Sequence, residues 1–332
     1  MAYTVLIIGC GAIAGGYDLD RSDEDWPLTH AGAITRSDRF KLTACVDPDD
    51  SARAAFAARW NVPTAVRDLE ALDAQPGDYD LIVIASPTEL HPEHLRWALD
   101  LAPKAVFCEK PVSKSFDQNL ELAEAFQEAG IPVAVNYTRR WAPDIVELAQ
   151  GWHTEWGEFI SAVGTYSKGI LHNGSHLVDL IEMILSECEV CFVGFPTFDH
   201  WDGDPSVSAL LGDHFESPRI HLVAGDCRAF TQFELVLTFE KGEVAIRDGG
   251  MRIETRRVID SPHVAGYRQL GPVESSPGRY PEAMTAAYAN IADAIETGAT
   301  LASSDFTALH PHDVCDQIYR IAMKSENREP SA

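Results

Sequence analysis

From Val5 to Asn136 the chain alternates short apolar or β-branched runs with longer stretches whose apolar positions recur at helical spacing. Val5–Ile8, Lys41–Val46, Leu81–Ala85, Ala105–Cys108 and Pro132–Asn136 read as strands, with Ser51–Trp60 and Ser115–Ala129 as helices between them. Strands alternating with helices form right-handed crossovers, so this half predicts a parallel sheet with helices on both faces.

After Asn136 the rhythm changes. A helix is expected over Asn173–Leu185, then extended runs at Glu189–Phe195, Arg219–Ala224, Phe230–Phe239, Val244–Arg247 and Met251–Ile259. Lys241-Gly242 and Asp248-Gly249-Gly250 fall between runs as tight turns, which join consecutive strands antiparallel. Two helices close the chain, Pro281–Thr297 and Pro311–Lys324. The second has proline in its first turn and Val314, Ile318, Ile321 and Ala322 at helical spacing. The fold class is therefore α/β: a Rossmann-type parallel sheet in residues 1–136, then an α+β domain on a largely antiparallel open sheet in residues 137–332.

Composition narrows the partners. At 332 residues the chain is long enough for two cores. A formal charge of −25 repels phosphate backbones and argues against nucleic acid, while the scattered acids fit a solvated surface. No run approaches the ~18 apolar residues of a membrane span. The segment Met1 to Ile8 lacks a basic stretch and runs straight into a strand, so a cytoplasmic protein with no membrane partner is expected. Seven cysteines at irregular spacing fit reduced thiols. Cys188-x-x-Cys191 has no second pair at zinc spacing and sits in a strand-like run through Val190, Phe192 and Phe195; no metal is expected.

Two segments carry chemistry. Gly9-x-Gly11-x-x-Ala14, with Ala12 and Ile13 inside it, closes the first strand. The first glycine permits a tight turn, the second lets backbone approach a pyrophosphate, and the small third residue packs helix against strand. The second strand ends in Asp47, an acid suited to accept from ribose hydroxyls and to repel a 2′-phosphate, which points to NAD rather than NADP. Such an acid is expected about 20 residues on, yet Asp47 lies 33 beyond Ala14. The acidic stretch Tyr17–Thr29 is the visible source of the surplus, either a surface loop or a lid over cofactor or substrate. Ser86-Pro87-Thr88-x-x-His91 either braces the cofactor ribose or caps a helix. Glu109-Lys110-Pro111 puts a carboxylate and an ammonium just past the carboxyl end of a parallel strand, where open α/β sheets bind ligands.

Together with Asn136-Tyr137-Thr138-Arg139-Arg140 and Gly174-Ser175-His176-x-x-Asp179, these segments resemble those of the Gfo/Idh/MocA family (glucose–fructose oxidoreductase, inositol dehydrogenase and relatives), in the same order and over essentially the whole chain. The resemblance implies an NAD-dependent oxidoreductase that moves hydride between nicotinamide and a secondary alcohol or ketone of a sugar, cyclitol or sugar derivative. Lys110 would bond the substrate hydroxyl and stabilise its alkoxide, held by a cis peptide to Pro111. Glu109 would touch the nicotinamide ribose, with Ser86, Thr88 and His91 as further cofactor contacts. His176 would exchange the hydroxyl proton, a task suited to imidazole.

Asn136, Arg140, His172 and Asn173 are expected on the substrate side. Many family members have an aspartate where this chain has His172. Two histidines four apart can share one helix face, so His172 either contacts substrate or replaces part of the acid/base machinery. Asp179 either orients His176 or pairs with a surface base. Arg139 and Arg140 either bind an anionic substrate group or pair across domains. The resemblance also implies a homodimer or homotetramer built on the second sheet's outer face. A lyase or glycosidase with retained NAD, and a ligand sensor on the same fold, are the alternative activities.

Overall fold

A computed structural model describes residues 2–22, 24–212 and 219–326. They fall into two compact units. One runs to Trp141 and takes in Pro281–Leu309; the other comprises Ala142–Tyr280 and the described residues from His310 on. The division expected after Asn136 thus moves a few residues, and a segment expected in the second domain belongs to the first unit.

The first unit is built from β1 (Tyr3–Ile8), α1 (His30–Arg36), β2 (Phe40–Val46), α2 (Asp50–Trp60), β3 (Thr64–Val66), β4 (Leu81–Ile84), α3 (His91–Asp100), β5 (Ala105–Cys108), α4 (Phe116–Ala129) and β6 (Val133–Val135). The six strands are parallel, in the order β3-β2-β1-β4-β5-β6. Strand order reverses between β1 and β4, and ligands bind at the carboxyl edge of such a switch point. Val5 to Ile7, Leu81 to Ile84 and Val106 to Cys108 are fully buried. Helices cover both faces of the sheet, which is why these strands read as uninterrupted apolar runs. Thr29, Asp49 and Ser115 accept backbone N–H groups at the starts of α1, α2 and α4.

The second unit contains α5 (Pro143–Trp156), β7 (Phe159–Tyr166), α6 (Ser175–Ile184), β8 (Glu189–Trp201), β9 (Asp204–Gly212), β10 (Ile220–Ala224), β11 (Phe233–Phe239), β12 (Gly242–Arg247), β13 (Arg252–Asp260), β14 (Arg268–Leu270) and β15 (Glu274–Pro277). They form a nine-stranded sheet in the order β14-β13-β12-β11-β7-β10-β9-β8, with β15 also on β13. Its described ladders are antiparallel except β7 with β10. In β11, Phe233, Leu235, Leu237 and Phe239 are buried in strict alternation, the mark of a sheet with one face covered. Gly164 of β7 lets α6 close on that face: a Cβ there would lie 2.7 Å from Leu177 Cδ2.

The remaining helices are α7 (Ala283–Thr297) and α8 (Asp305–Glu326). Pro311 lies inside α8 rather than in its first turn. The helix starts earlier because the Ser304 hydroxyl accepts from Thr307 N while the Thr307 hydroxyl accepts from Ser304 N, a reciprocal cap. Burial pushes the Asp305 carboxyl up to about 6, against the hydrogen bond from Phe306 N. Between the unfolded value near ~4 and about 6 the folded state holds the extra proton, so this group's stability contribution falls as pH rises through that window. Asp305→Asn is expected to stabilise the protein by on the order of 1–2 kcal/mol above that window and to be nearly neutral below it. Thermal melts on both sides of the window check this; an equal effect at both would refute it. Among the described residues no helix is long and apolar enough to cross a membrane.

Candidate active site

The turn after β1 is pinned on two sides. Gly9 N donates to Val46 O at 2.8 Å, and Cys10 N donates to Asp47 Oδ2 at 2.7 Å. Gly9 has φ +97°, and a Cβ on it would stand 2.5 Å from Ala85 O in the turn after β4. Gly11 has nothing within 4 Å of its Cβ position, so its backbone faces open space. Ala12 and Ile13 form the helical turn that follows. Beside this turn a cavity of about 560 Å³ opens over the carboxyl ends of β1, β2 and β4, lined among others by Gly9, Asp47, Arg67, Ser86 and His94. A glycine turn, an open approach at Gly11 and a carboxylate in the cavity fit the diphosphate and ribose of a dinucleotide.

Ser86 lines that cavity, with its hydroxyl 2.8 Å from His94 Nδ1. Thr88 starts a 3-10 turn before α3 and does not line it. His91 departs from expectation. It is 1% exposed, with Nδ1 2.8 Å from Pro111 O and Nε2 2.8 Å from Ser86 O. Both ring nitrogens lie beside backbone carbonyls, so His91 ties the turn after β4 to the turn after β5. Arg67 and His94 are cavity residues that the sequence reading passed over; neither stands in a motif.

The turn after β5 holds Glu109 and Lys110, both half-buried, and the Lys110–Pro111 peptide is cis. Glu109 Oε1 lies 2.9 Å from His30 Nε2 and accepts from Asn136 Nδ2 at 2.7 Å. Burial pushes the Glu109 carboxyl up, but the hydrogen bonds from His30 and Asn136 and the Lys110 charge outweigh it and hold the group below the usual carboxylate range. Asn136 is 2% exposed, and its amide oxygen accepts from Thr138 Oγ1 at 2.8 Å. Its amide N–H donates to Glu109 and its oxygen accepts from Thr138, so Asn136 helps position Glu109. Arg140 follows in a 3-10 turn, Thr138–Trp141, and is half-buried.

In the second unit, α6 is entered through a π-helical turn, Gly169–Gly174, so the helix expected from Asn173 begins at Ser175. Such widened turns recur at functional sites. The hairpin of β8 and β9 fastens it: Leu171 N and His172 N donate to the Asp204 carboxylate at 2.9 Å each, and Lys168 N donates to Asp199 Oδ2. His172 is exposed, its ring edge-on to Trp201 with centroids 4.7 Å apart. Asn173 donates to Ser167 O. His176 is half-buried in the first turn of α6 and Asp179 is fully buried one turn further on. The α-helical spacing that would put His172 and His176 on one face is broken, because His172 lies in the π turn. Among the described residues, no cluster of three or more His, Cys, Asp or Glu groups could hold a metal ion.

Residues 3–137 match the model of an oxidoreductase family with an NAD-binding Rossmann fold, Gfo/Idh/MocA. Over that span the chain resembles the NAD-binding domain of the Gfo/Idh/MocA family. It is 33% identical over 119 residues to the uncharacterized oxidoreductase YrbE of Bacillus subtilis, and 30% identical over 120 residues to an inositol 2-dehydrogenase of Rhizobium meliloti. Each match takes in 36% of this chain and only 34% and 35% of the relative, so about a third of the length of these curated relatives is spanned. The fold likeness reaches further. A structure of levoglucosan dehydrogenase with NADH and levoglucosan superposes with TM-score 0.77 at 15% identity, covering 98% of both chains.

Within this Rossmann unit, the surplus before Asp47 has a simple geometry. His30 N donates to Ile13 O and Ala31 N to Ala14 O, so the hydrogen-bond ladder of the first helix closes across Tyr17–Thr29 as though that segment were absent. The segment is 13 residues long, and without it Asp47 follows Ala14 by 20 rather than 33. Asp18, 1% exposed, clasps its base: its carboxylate accepts from Leu28 N, Thr29 N and Thr29 Oγ1. Gly32 is needed there, since a Cβ would stand 2.4 Å from Asp18 Oδ2. Arg36 donates to Ser22 O and Arg59 to Leu19 O. Both arginines sit in the last turns of their helices and so tie the excursion to the ends of α1 and α2.

Proposed function

We propose that this protein is an NAD-dependent oxidoreductase acting on a secondary alcohol or ketone of a sugar, cyclitol or sugar derivative. The observation that carries the reading is Glu109-Lys110 in the turn after β5, a carboxylate held ionised beside a half-buried ammonium on the ligand-binding edge of a dinucleotide-type sheet. The dehydrogenases it resembles act on inositol and levoglucosan by name, which supports a polyhydroxylated substrate.

Bound NAD would supply the hydride acceptor. The chain's own residues would do the rest. Gly9 to Ala14 would cradle the diphosphate, Asp47 would accept from the adenosine ribose, and Glu109 from the nicotinamide ribose. Lys110 would hold the substrate oxygen and stabilise the negative charge that grows on it as hydride departs. His176 would take the hydroxyl proton. His172, Asn173 and Arg140 remain candidates for the substrate hydroxyls. The second sheet exposes Ile160, Val163, Phe192, Phe195 and Val223, and a second copy of the chain is the proposed cover for this apolar surface.

Titration with NAD and NADP, followed by a screen of sugars and cyclitols for reduction of the bound nucleotide, tests the reading. NAD is expected to bind about tenfold or more tightly than NADP, because Asp47 repels a 2′-phosphate. Arg67 lines the same cavity and favours the opposite choice. Tighter NADP binding that Arg67→Ala abolishes would overturn the assignment of Asp47. Tight nucleotide binding with no turnover across the panel would move the protein out of the dehydrogenase class.

A further inference from the structure

We propose that His30 is a positioning residue that fixes the carboxylate of Glu109 for the nicotinamide ribose, an assignment that rests on the cofactor reading above. His30 is fully buried at the start of α1. Its Nε2 is 2.9 Å from Glu109 Oε1 and its Nδ1 is 2.9 Å from the hydroxyl of Tyr288 in α7. The rings of Phe107 and Tyr288 stand edge-on to it, with centroids 4.8 and 6.1 Å away.

The partners dictate the direction of every proton in this row. Burial keeps the Tyr288 phenol protonated, so its O–H donates to Nδ1. Nε2–H then donates to the Glu109 carboxylate, and Asn136 donates to the same oxygen from another side. One neutral tautomer satisfies the whole chain from Tyr288 to Glu109. Oε1 is saturated by two protein donors, which leaves Oε2 to accept from a ligand hydroxyl. Without His30 the carboxylate would rest on Asn136 and swing or protonate. The position of His30 is equally determined, by its N–H on Ile13 O and by the Thr29 cap that Asp18 clasps.

The test uses the full chain with NADH and ADP as probes, ADP lacking the nicotinamide ribose. His30→Asn removes the donor that reaches Glu109, whereas His30→Gln restores an amide N–H near the place of Nε2. NADH affinity is expected to fall about tenfold in His30→Asn, the effect of one lost hydrogen bond to a charged group, and to recover largely in His30→Gln. ADP affinity is expected to stay unchanged in both. Glu109→Gln is run in parallel: unchanged NADH binding there would refute the ribose role of Glu109 itself. Weakened NADH binding in Glu109→Gln but not in His30→Asn would overturn the role of His30 alone. Equal loss of NADH and ADP affinity in His30→Asn would show a general packing role and overturn it too. Should His30→Asn not fold, Tyr288→Phe decides: weaker NADH with unchanged ADP binding supports the row, and no change in either refutes it.

Discussion

Replacing Lys110 with methionine is expected to lower turnover by roughly two to four orders of magnitude while leaving NADH affinity within a few-fold. Methionine keeps most of the side chain's volume and removes only the ammonium. Any loss then reports charge and not packing. Glu109 stays hydrogen-bonded to His30 and Asn136, so the cofactor-facing carboxylate keeps its position when the neighbouring charge is lost. The ammonium matters most when the substrate oxygen carries developing negative charge, so the deficit belongs in kcat more than in KM. Steady-state kinetics on the best polyhydroxy substrate, with NADH binding measured separately, decide it. Turnover close to wild type would remove Lys110 from the chemistry.

Gly9→Ala and Gly11→Ala should fail in different ways. At Gly9 the new Cβ would lie 2.5 Å from Ala85 O and 2.7 Å from Ser86 N, and φ is +97°. Both neighbours are backbone held by the sheet, so neither can yield without shifting β4 against β1. A loss of about 3 kcal/mol or more in folding stability is expected, from overpacking added to left-handed strain. At Gly11 the Cβ meets nothing, so stability should hold, while the methyl group occupies the space through which a diphosphate reaches the backbone. Denaturant unfolding and NADH titration on both variants separate the effects. A stable Gly9→Ala protein would refute the packing argument.

The parallel half of the fold is legible in the chain because β1, β4 and β5 are buried on both faces and appear as unbroken apolar runs. The second sheet is less so. β7 contains Ser161, Ala162, Gly164 and Thr165, and β9 begins Asp204, Pro205, Ser206; small and polar residues hide their burial until their neighbours are known. Ser206 is fully buried because it donates to Asp199, seven residues away on the adjoining strand. Pro311 misleads for the opposite reason. It looks like a first-turn proline, but the Ser304–Thr307 cap had already started the helix.

At the site, the glycine turn, Asp47 and Glu109-Lys110 stand out because each closes a strand. His91 and Asn136 stand out equally, although they bind protein. A polar side chain after a strand reads the same whether it faces ligand or backbone. His30 escapes notice because its partners lie 79 and 258 residues away and no motif links them.

The bridging of the α1 ladder has a consequence for how this chain tolerates change. Beyond the Asp18 clasp, the number of residues in the excursion is decoupled from the register of everything downstream. Doubling the length of a flexible loop whose ends are already joined costs only about 0.6 kcal/mol. A reporter domain or affinity sequence spliced into the excursion should therefore leave the register of the glycine cradle and of His30 unchanged.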